Sequence, residues 1–294
     1  MVPFRRRRDR IYQIRKLHDS MKSLCFNFAP NFSEKGDFCV GGLSCGLAFG
    51  WNSGETRLRI IHMKKHSLIL SLALGVLATS AMADDGFVSI FNGKDLTGWK
   101  SNEETPGSFT VEDGAIKVGS GRAHLFYMGA DGKASFTDFE LKLKVMTTPK
   151  ANGGVYFHTE YQEKGWPYKG FECQVNASHG DPRKTGSLYG VSDVLVLAEG
   201  QQGPKGSLEG RVVEKAPNVD GEWFDYHIAV KGNKITVKVN GEITVEWTQP
   251  EGFDPAKALQ GMPGRKLGSG TFAIQGHDPG SVAHYKDIML KAGN

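Results

Sequence analysis

Residues 223–247 read WFDYHIAVKGNKITVKVNGEITVEW, and this stretch decides the fold class. Its apolar residues alternate with polar ones in three short runs, and a period of two places such residues on one face of a strand. Gly232-Asn233 and Asn240-Gly241 separate the runs. Turns of this composition close tight hairpins because their residues tolerate positive φ. The stretch predicts an antiparallel meander with strands over Trp223 to Val230, Ile235 to Val239 and Ile243 to Trp247.

The same pattern extends in both directions. Phe87 to Trp99 opens with a short strand and turns at Asn92-Gly93, and Ser108 to Val118 is a hairpin about Asp113-Gly114. Phe139 to Val145 alternates cleanly, and Thr271 to Gln275 and Val282 to Leu290 close the chain. Helical periodicity is scarce. Roughly ten to twelve strands in all predict an all-β protein, a two-sheet sandwich or jelly roll. A glycine-rich polar stretch from Ser178 to Asn218 reads as a long loop, functional or mobile.

The N-terminal part reads differently. Met63 opens MKKHSLILSLALGVLATSAMA, with two lysines, an apolar run and small residues at Ala81 and Ala83. That pattern predicts an export signal at 63–83 and a periplasmic or secreted domain over 84–294, free of the membrane after cleavage. The apolar run is shorter than the roughly 20 residues of a membrane span. Residues 1–62 are read as an upstream start outside the native protein, or as a disordered basic arm.

Charge follows that division. Residues 1–83 carry 13 Lys and Arg against 5 Asp and Glu, leaving 23 basic and 27 acidic residues afterwards. The domain therefore has no basic surplus to drive nucleic-acid binding. Cys173 is the one cysteine after Ala83, so the domain forms no internal disulfide and has no paired-cysteine zinc motif. It falls on the apolar side of its strand and reads as a core residue.

Asn152 to Gly190 holds the candidate chemistry. In VYFHTE, Val155 and Phe157 point one way, and Tyr156, His158 and Glu160 the other. In FECQVN, Phe171, Cys173 and Val175 form the apolar set, opposite Glu172, Gln174 and Asn176. A face of carboxylate, amides, histidine and tyrosine suits a hydroxyl-rich ligand. Glu172 is the expected general base, with His158 and His179 as further candidate catalytic groups. Tyr156, Gln174, Tyr189, Gln275, His277 and Trp166 are the expected substrate contacts, and Tyr168 is a second aromatic able to stack on a sugar. No D-x-D-x-D-G calcium loop occurs, and a divalent metal at His158, Glu172 and His179 has no spacing signature. The metal question stays open.

Five motifs in order carry a resemblance: GFVSIFNGKDLTGW, NGGVYF, then GFECQV with TGSLYG, GEWFDYHIAVKGNKITVKVNGEI and GTFAIQGHDPGSVAHYKDIML. Together they resemble the 3-keto-disaccharide hydrolase family over about Phe87 to Lys291. That family is similar in fold to concanavalin-A-like lectins and glucanases. This chain departs from the family pattern at His158, where an arginine is expected, at Lys286-Asp287, where Arg-Asn is common, and at Asn176 to His179, where an aspartate-containing turn is usual. The resemblance implies action on glucosides or disaccharides already oxidised at C3, by elimination across C1–C2, hydration of the resulting 2-hydroxy-glucal, or both. It also implies an upstream sugar 3-dehydrogenase, which this chain is not, since it has no G-x-G-x-x-G after a strand. Two other classes compete. A lectin-like binding module would present the same polar face. A conventional retaining glucanase needs paired carboxyl groups, and the alternate positions after Glu172 are Gln174 and Asn176.

Overall fold

The computed structural model describes residues 85–293 except 103, 120 and 260. The expected signal at 63–83 and the leader at 1–62 lie outside the described residues. The alternating runs become strands that assemble into two antiparallel sheets. The first sheet takes β1 (Val88–Ser89), β3 (Phe109–Glu112), β4 (Ala115–Val118), β6 (Phe139–Thr147), β11 (Phe224–Lys231), β12 (Lys234–Val239), β13 (Glu242–Thr248) and β15 (Ala283–Ala292). Its order is β13-β12-β11-β6-β15-β4-β3, with β1 on β15. The second sheet takes β2 (Trp99–Ser101), β5 (Ala123–Tyr127), β7 (Gly153–Thr159), β8 (Phe171–Val175) and β14 (Thr271–Gly276), in the order β2-β5-β14-β7-β8. The result is a concanavalin-A-like sandwich of the jelly-roll kind.

The predicted meander is β11-β12-β13, paired as expected through both glycine-containing turns. The core lies between the sheets, where Phe139 of β6 meets Phe157 of β7 and Phe272 of β14 at 5.6 and 4.9 Å between ring centroids. Tyr226 of β11 crosses the core and donates its hydroxyl hydrogen to the Gln174 carbonyl at 2.9 Å. Buried Cys173 belongs to the same core, and burial pushes its thiol pKa up.

Two expectations need correction. The stretch from Ser178 to Asn218 is not one long loop. It contains β9 (Ser192–Leu195) and β10 (Glu209–Val212), a short parallel pair. Asp193 secures this region: it is buried, and it accepts from Arg183 Nε at 2.9 Å and from the Gly190 amide at 3.0 Å. The strand β5 has no counterpart among the predicted elements, because AHLFY is buried on both faces and so does not alternate. One turn of helix, α1 (Pro255–Ala258), precedes the segment that closes over the second sheet.

Candidate functional site

Strand register on the second sheet builds two rows of side chains on its outer face. Glu172 of β8 pairs with Tyr156 of β7, which pairs with Ala273 of β14 and through it with Phe126 of β5. Two residues along, Gln174 pairs with Gly154, Gly154 with Gln275, and Gln275 with His124. Directly paired residues share a face, so both rows look the same way. Gly154 leaves the gap that Glu172 occupies. A Cβ there would stand 2.9 Å from Glu172 Cγ and 2.9 Å from its Oε1.

Across that gap the Glu172 carboxylate gathers three donors. The Tyr156 hydroxyl donates to Oε2 at 2.7 Å and Arg265 Nη2 to the same oxygen at 3.0 Å. Gln275 Nε2 donates to Oε1 at 2.9 Å and lies 3.3 Å from the Tyr156 hydroxyl oxygen. Beside them Gln174 Nε2 donates to Asn152 Oδ1 at 2.7 Å. Desolvation works against the Arg265 charge, but Tyr156 and Glu172 outweigh it and raise its pKa. Burial first, and the Glu172 carboxylate second, raise the Tyr156 phenol well above its ordinary value.

These groups floor a cavity of about 300 Å³. Of the residues expected from sequence, Glu172, Tyr156, Gln174, Tyr189, Gln275, His277 and Trp166 line it. Burial raises the Tyr189 phenol pKa as well. Three buried polar atoms of the lining have no partner: Arg265 Nη1, Gln275 Oε1 and Gln174 Oε1. A buried polar group without a partner costs roughly 1–3 kcal/mol, so such a set points to a ligand that supplies the missing bonds.

His179 stands behind the lining. Its Nδ1 accepts from the Asp181 amide at 3.1 Å and lies 3.4 Å from Asn152 Nδ2, while its ring is 5.9 Å from that of His277. His158 is not brought to the cavity. Strict alternation fails there because β7 carries a bulge opposite Phe272, and His158 takes φ +54°. Its ring turns to Phe139 and Phe157, and its Nε2 donates to the Thr137 carbonyl at 2.8 Å. Burial lowers its pKa. The trio His158, Glu172 and His179 is therefore not assembled. Among the described residues, no group of three or more His, Cys, Asp or Glu side chains is placed to hold a metal ion.

Arg265 is the main residue that sequence reasoning missed. It sits in the irregular segment GMPGRKLGSG, 93 positions from Glu172, with its Nε against Met262 Sδ at 3.0 Å. The flanking glycines mark a sharply turning chain, but no periodicity indicates which face the arginine joins.

Fold and site together define a lectin-like β-sandwich with an acid-and-amide cavity on one sheet. The sequence pattern of the 3-keto-alpha-glucoside-1,2-lyase-like domain matches residues 86–291, and the chain belongs to that family. A 3-keto-disaccharide hydrolase from Bacteroides thetaiotaomicron is 32% identical over 81 residues, 25% of this chain. That match spans 27% of the relative's length, just over a quarter. The crystal structure of a candidate glycosyl hydrolase from Parabacteroides distasonis ATCC 8503 superposes with a TM-score of 0.50 at 22% identity, covering 71% of this chain and 94% of that one. That likeness concerns the fold.

Proposed function

We propose that this chain is a carbohydrate-active enzyme that cleaves 3-keto-glucosides, with Glu172 as the base that removes the C2 proton. A C3 ketone acidifies the C2–H bond. Breaking that bond sends its electron pair to the C3 oxygen as an enolate, and collapse of the enolate forms the C1–C2 double bond and expels the C1 oxygen substituent. Addition of water, hydroxyl to C1 and hydrogen to C2, completes a net hydrolysis.

The observation that carries this reading is the buried Glu172–Arg265 pair with Arg265 Nη1 left over. Glu172 lines the cavity as the carboxylate that would accept the proton, and a fixed cation beside it offers a spare donor to the enolate oxygen. Gln275 and Gln174 present unpartnered amide oxygens to sugar hydroxyls. Tyr189, held protonated by burial, is the wall group suited to protonating the departing oxygen.

The family match supports a keto-glucoside as substrate, and the ketone implies a sugar-oxidising enzyme upstream. The signal-like residues 63–83 support delivery to the periplasm or beyond. The test compares the purified chain with its Glu172→Gln variant on a 3-keto-glucoside and on the unoxidised parent, following release of the C1 substituent. Release from the keto sugar alone, reduced about 10²–10⁴-fold in the variant, is expected. Binding of the keto sugar without any turnover would make the chain a binding module, and release from the parent would make it a conventional glycosidase.

A further inference from the structure

Behind Trp166 lies a histidine that the proposed chemistry leaves unused. His124 of β5 pairs directly with Gln275, so it continues the row of Gln174 and Gln275 across the same sheet face. It is fully buried, and neither ring nitrogen has a hydrogen-bond partner. Its ring stands edge-on to those of Tyr156 and Trp166, each 5.6 Å away. Burial holds its pKa at about 3, so the ring is neutral. A neutral imidazole offers one donor and one acceptor, which is what a sugar hydroxyl needs.

Residues 160–170, between β7 and β8, cover it. Trp166 in this segment is 41% exposed and Tyr168 is 66% exposed. Much of its bonding is internal, from Gln162 Nε2 to the Trp166 carbonyl and from the Tyr168 amide to Gln162 Oε1. Several ties hold it down: the Trp166 ring lies 5.2 Å from that of His277, Tyr161 packs on Phe126 at 5.4 Å, the Gly170 amide donates to the Gly264 carbonyl at 3.0 Å, and a latch fastens its middle. The Gly165 amide donates to Glu104 Oε2 at 2.9 Å, Arg122 pairs with the same carboxylate, and the Arg122 guanidinium lies 5.3 Å from the Trp166 ring centre. With the segment down, the cavity of about 300 Å³ is at the low end for small-molecule sites.

We infer that His124 reads a second sugar ring: residues 160–170 lift off the sheet, and the exposed imidazole hydrogen-bonds a hydroxyl of the pyranose attached at C1, with Trp166 stacking on that ring. This rests on the proposed reading for the first sugar only. The row Gln174, Gln275, His124 then spans two adjacent subsites, and the latch at Glu104 together with the ring contacts of Tyr161 and Trp166 sets how readily the second one opens.

Calorimetric titration in the Glu172→Gln background tests this without turnover, using a 3-keto-glucosyl-glucose and methyl 3-keto-glucoside as probes. The disaccharide is expected to bind about 10-fold more tightly, and adding His124→Phe is expected to make the two affinities equal by weakening the disaccharide alone. His124→Gln keeps a donor and an acceptor and is expected to retain part of the preference. Hydrogen exchange at the Gly165 amide gives an independent reading, faster with the disaccharide and unchanged with the methyl glycoside. The inference is overturned by an undiminished preference in both His124 variants, by equal loss for both probes, or by no preference at the outset. A preference without turnover by the unsubstituted chain would refute the proposed chemistry and leave the subsite standing.

Discussion

The two sheets are built from the same kind of strand and buried in opposite ways. On the eight-stranded sheet, β6 alternates buried positions with half-buried or exposed ones along its length, as do β11 and β12. On the five-stranded sheet every residue of β7, β8 and β14 is buried. The first sheet turns a lysine-rich face to water. The second hides Glu172, Gln174, Gln275 and His124 beneath Trp166, Tyr168 and Arg265. Burying polar groups costs free energy, and under the proposed function that cost is set against a preorganised site.

The largest effect is expected at the buried ion pair. Arg265→Met strands the Glu172 carboxylate and is expected to lower stability by about 3–5 kcal/mol, read from denaturant unfolding. Gly154→Ala comes next. The added methyl displaces the carboxylate that folds over this residue. A displacement near 1 Å is expected to reduce turnover of the keto sugar by roughly 100-fold and to lower stability by about 1–3 kcal/mol in an unfolding curve measured alongside, less than Arg265→Met.

Acid sharpens the contrast. The folded-state pKa of His124 is lowered by desolvation from 6.5 to about 3, so its contribution is fully present above pH 6.5 and fades as pH falls toward 3. Between pH 7 and pH 5 that amounts to about 2 kcal/mol of lost stability. His124→Phe is expected to flatten the slope in urea titrations at the two pH values. The remaining slope then belongs to His158, His227 and His284, whose pKa values burial also lowers. The smallest effect falls on the other sheet. Lys144 and Asp225 pair at 2.6 Å on its wet face, and Lys144→Ala is expected to change stability by less than about 1 kcal/mol.

The same division explains what could be read from sequence. Strands of the wet sheet alternate, so the meander over 223–247 and its two turns were legible residue by residue. On the buried sheet, the side of the chain taken by Glu172, Gln174 and Gln275 was legible, because these polar residues interrupt apolar ones at the strand period. His158 was misplaced because a bulge reverses the alternation, and nothing local in VYFHTE announces it. Distant chain packs closely against this bulge: a Cβ on Gly270 would lie 2.5 Å from the His158 carbonyl carbon, and one on Gly170 2.7 Å from it. Arg265 and the cover over His124 come from irregular segments whose partners are fixed only by the closed sandwich.

Whether the buried sheet takes a proton from carbon is read from the isotope content at C2. The reaction is run in heavy water with a 3-keto-glucoside, and the released sugar is analysed by mass and by carbon NMR. A sample of the product sugar incubated without protein corrects for spontaneous exchange. The account predicts one deuterium at C2 in product formed by the unsubstituted chain, and no such product from Glu172→Gln. Product released at full rate with hydrogen retained at C2 would mean that the C1 bond is broken directly, and would contradict the account.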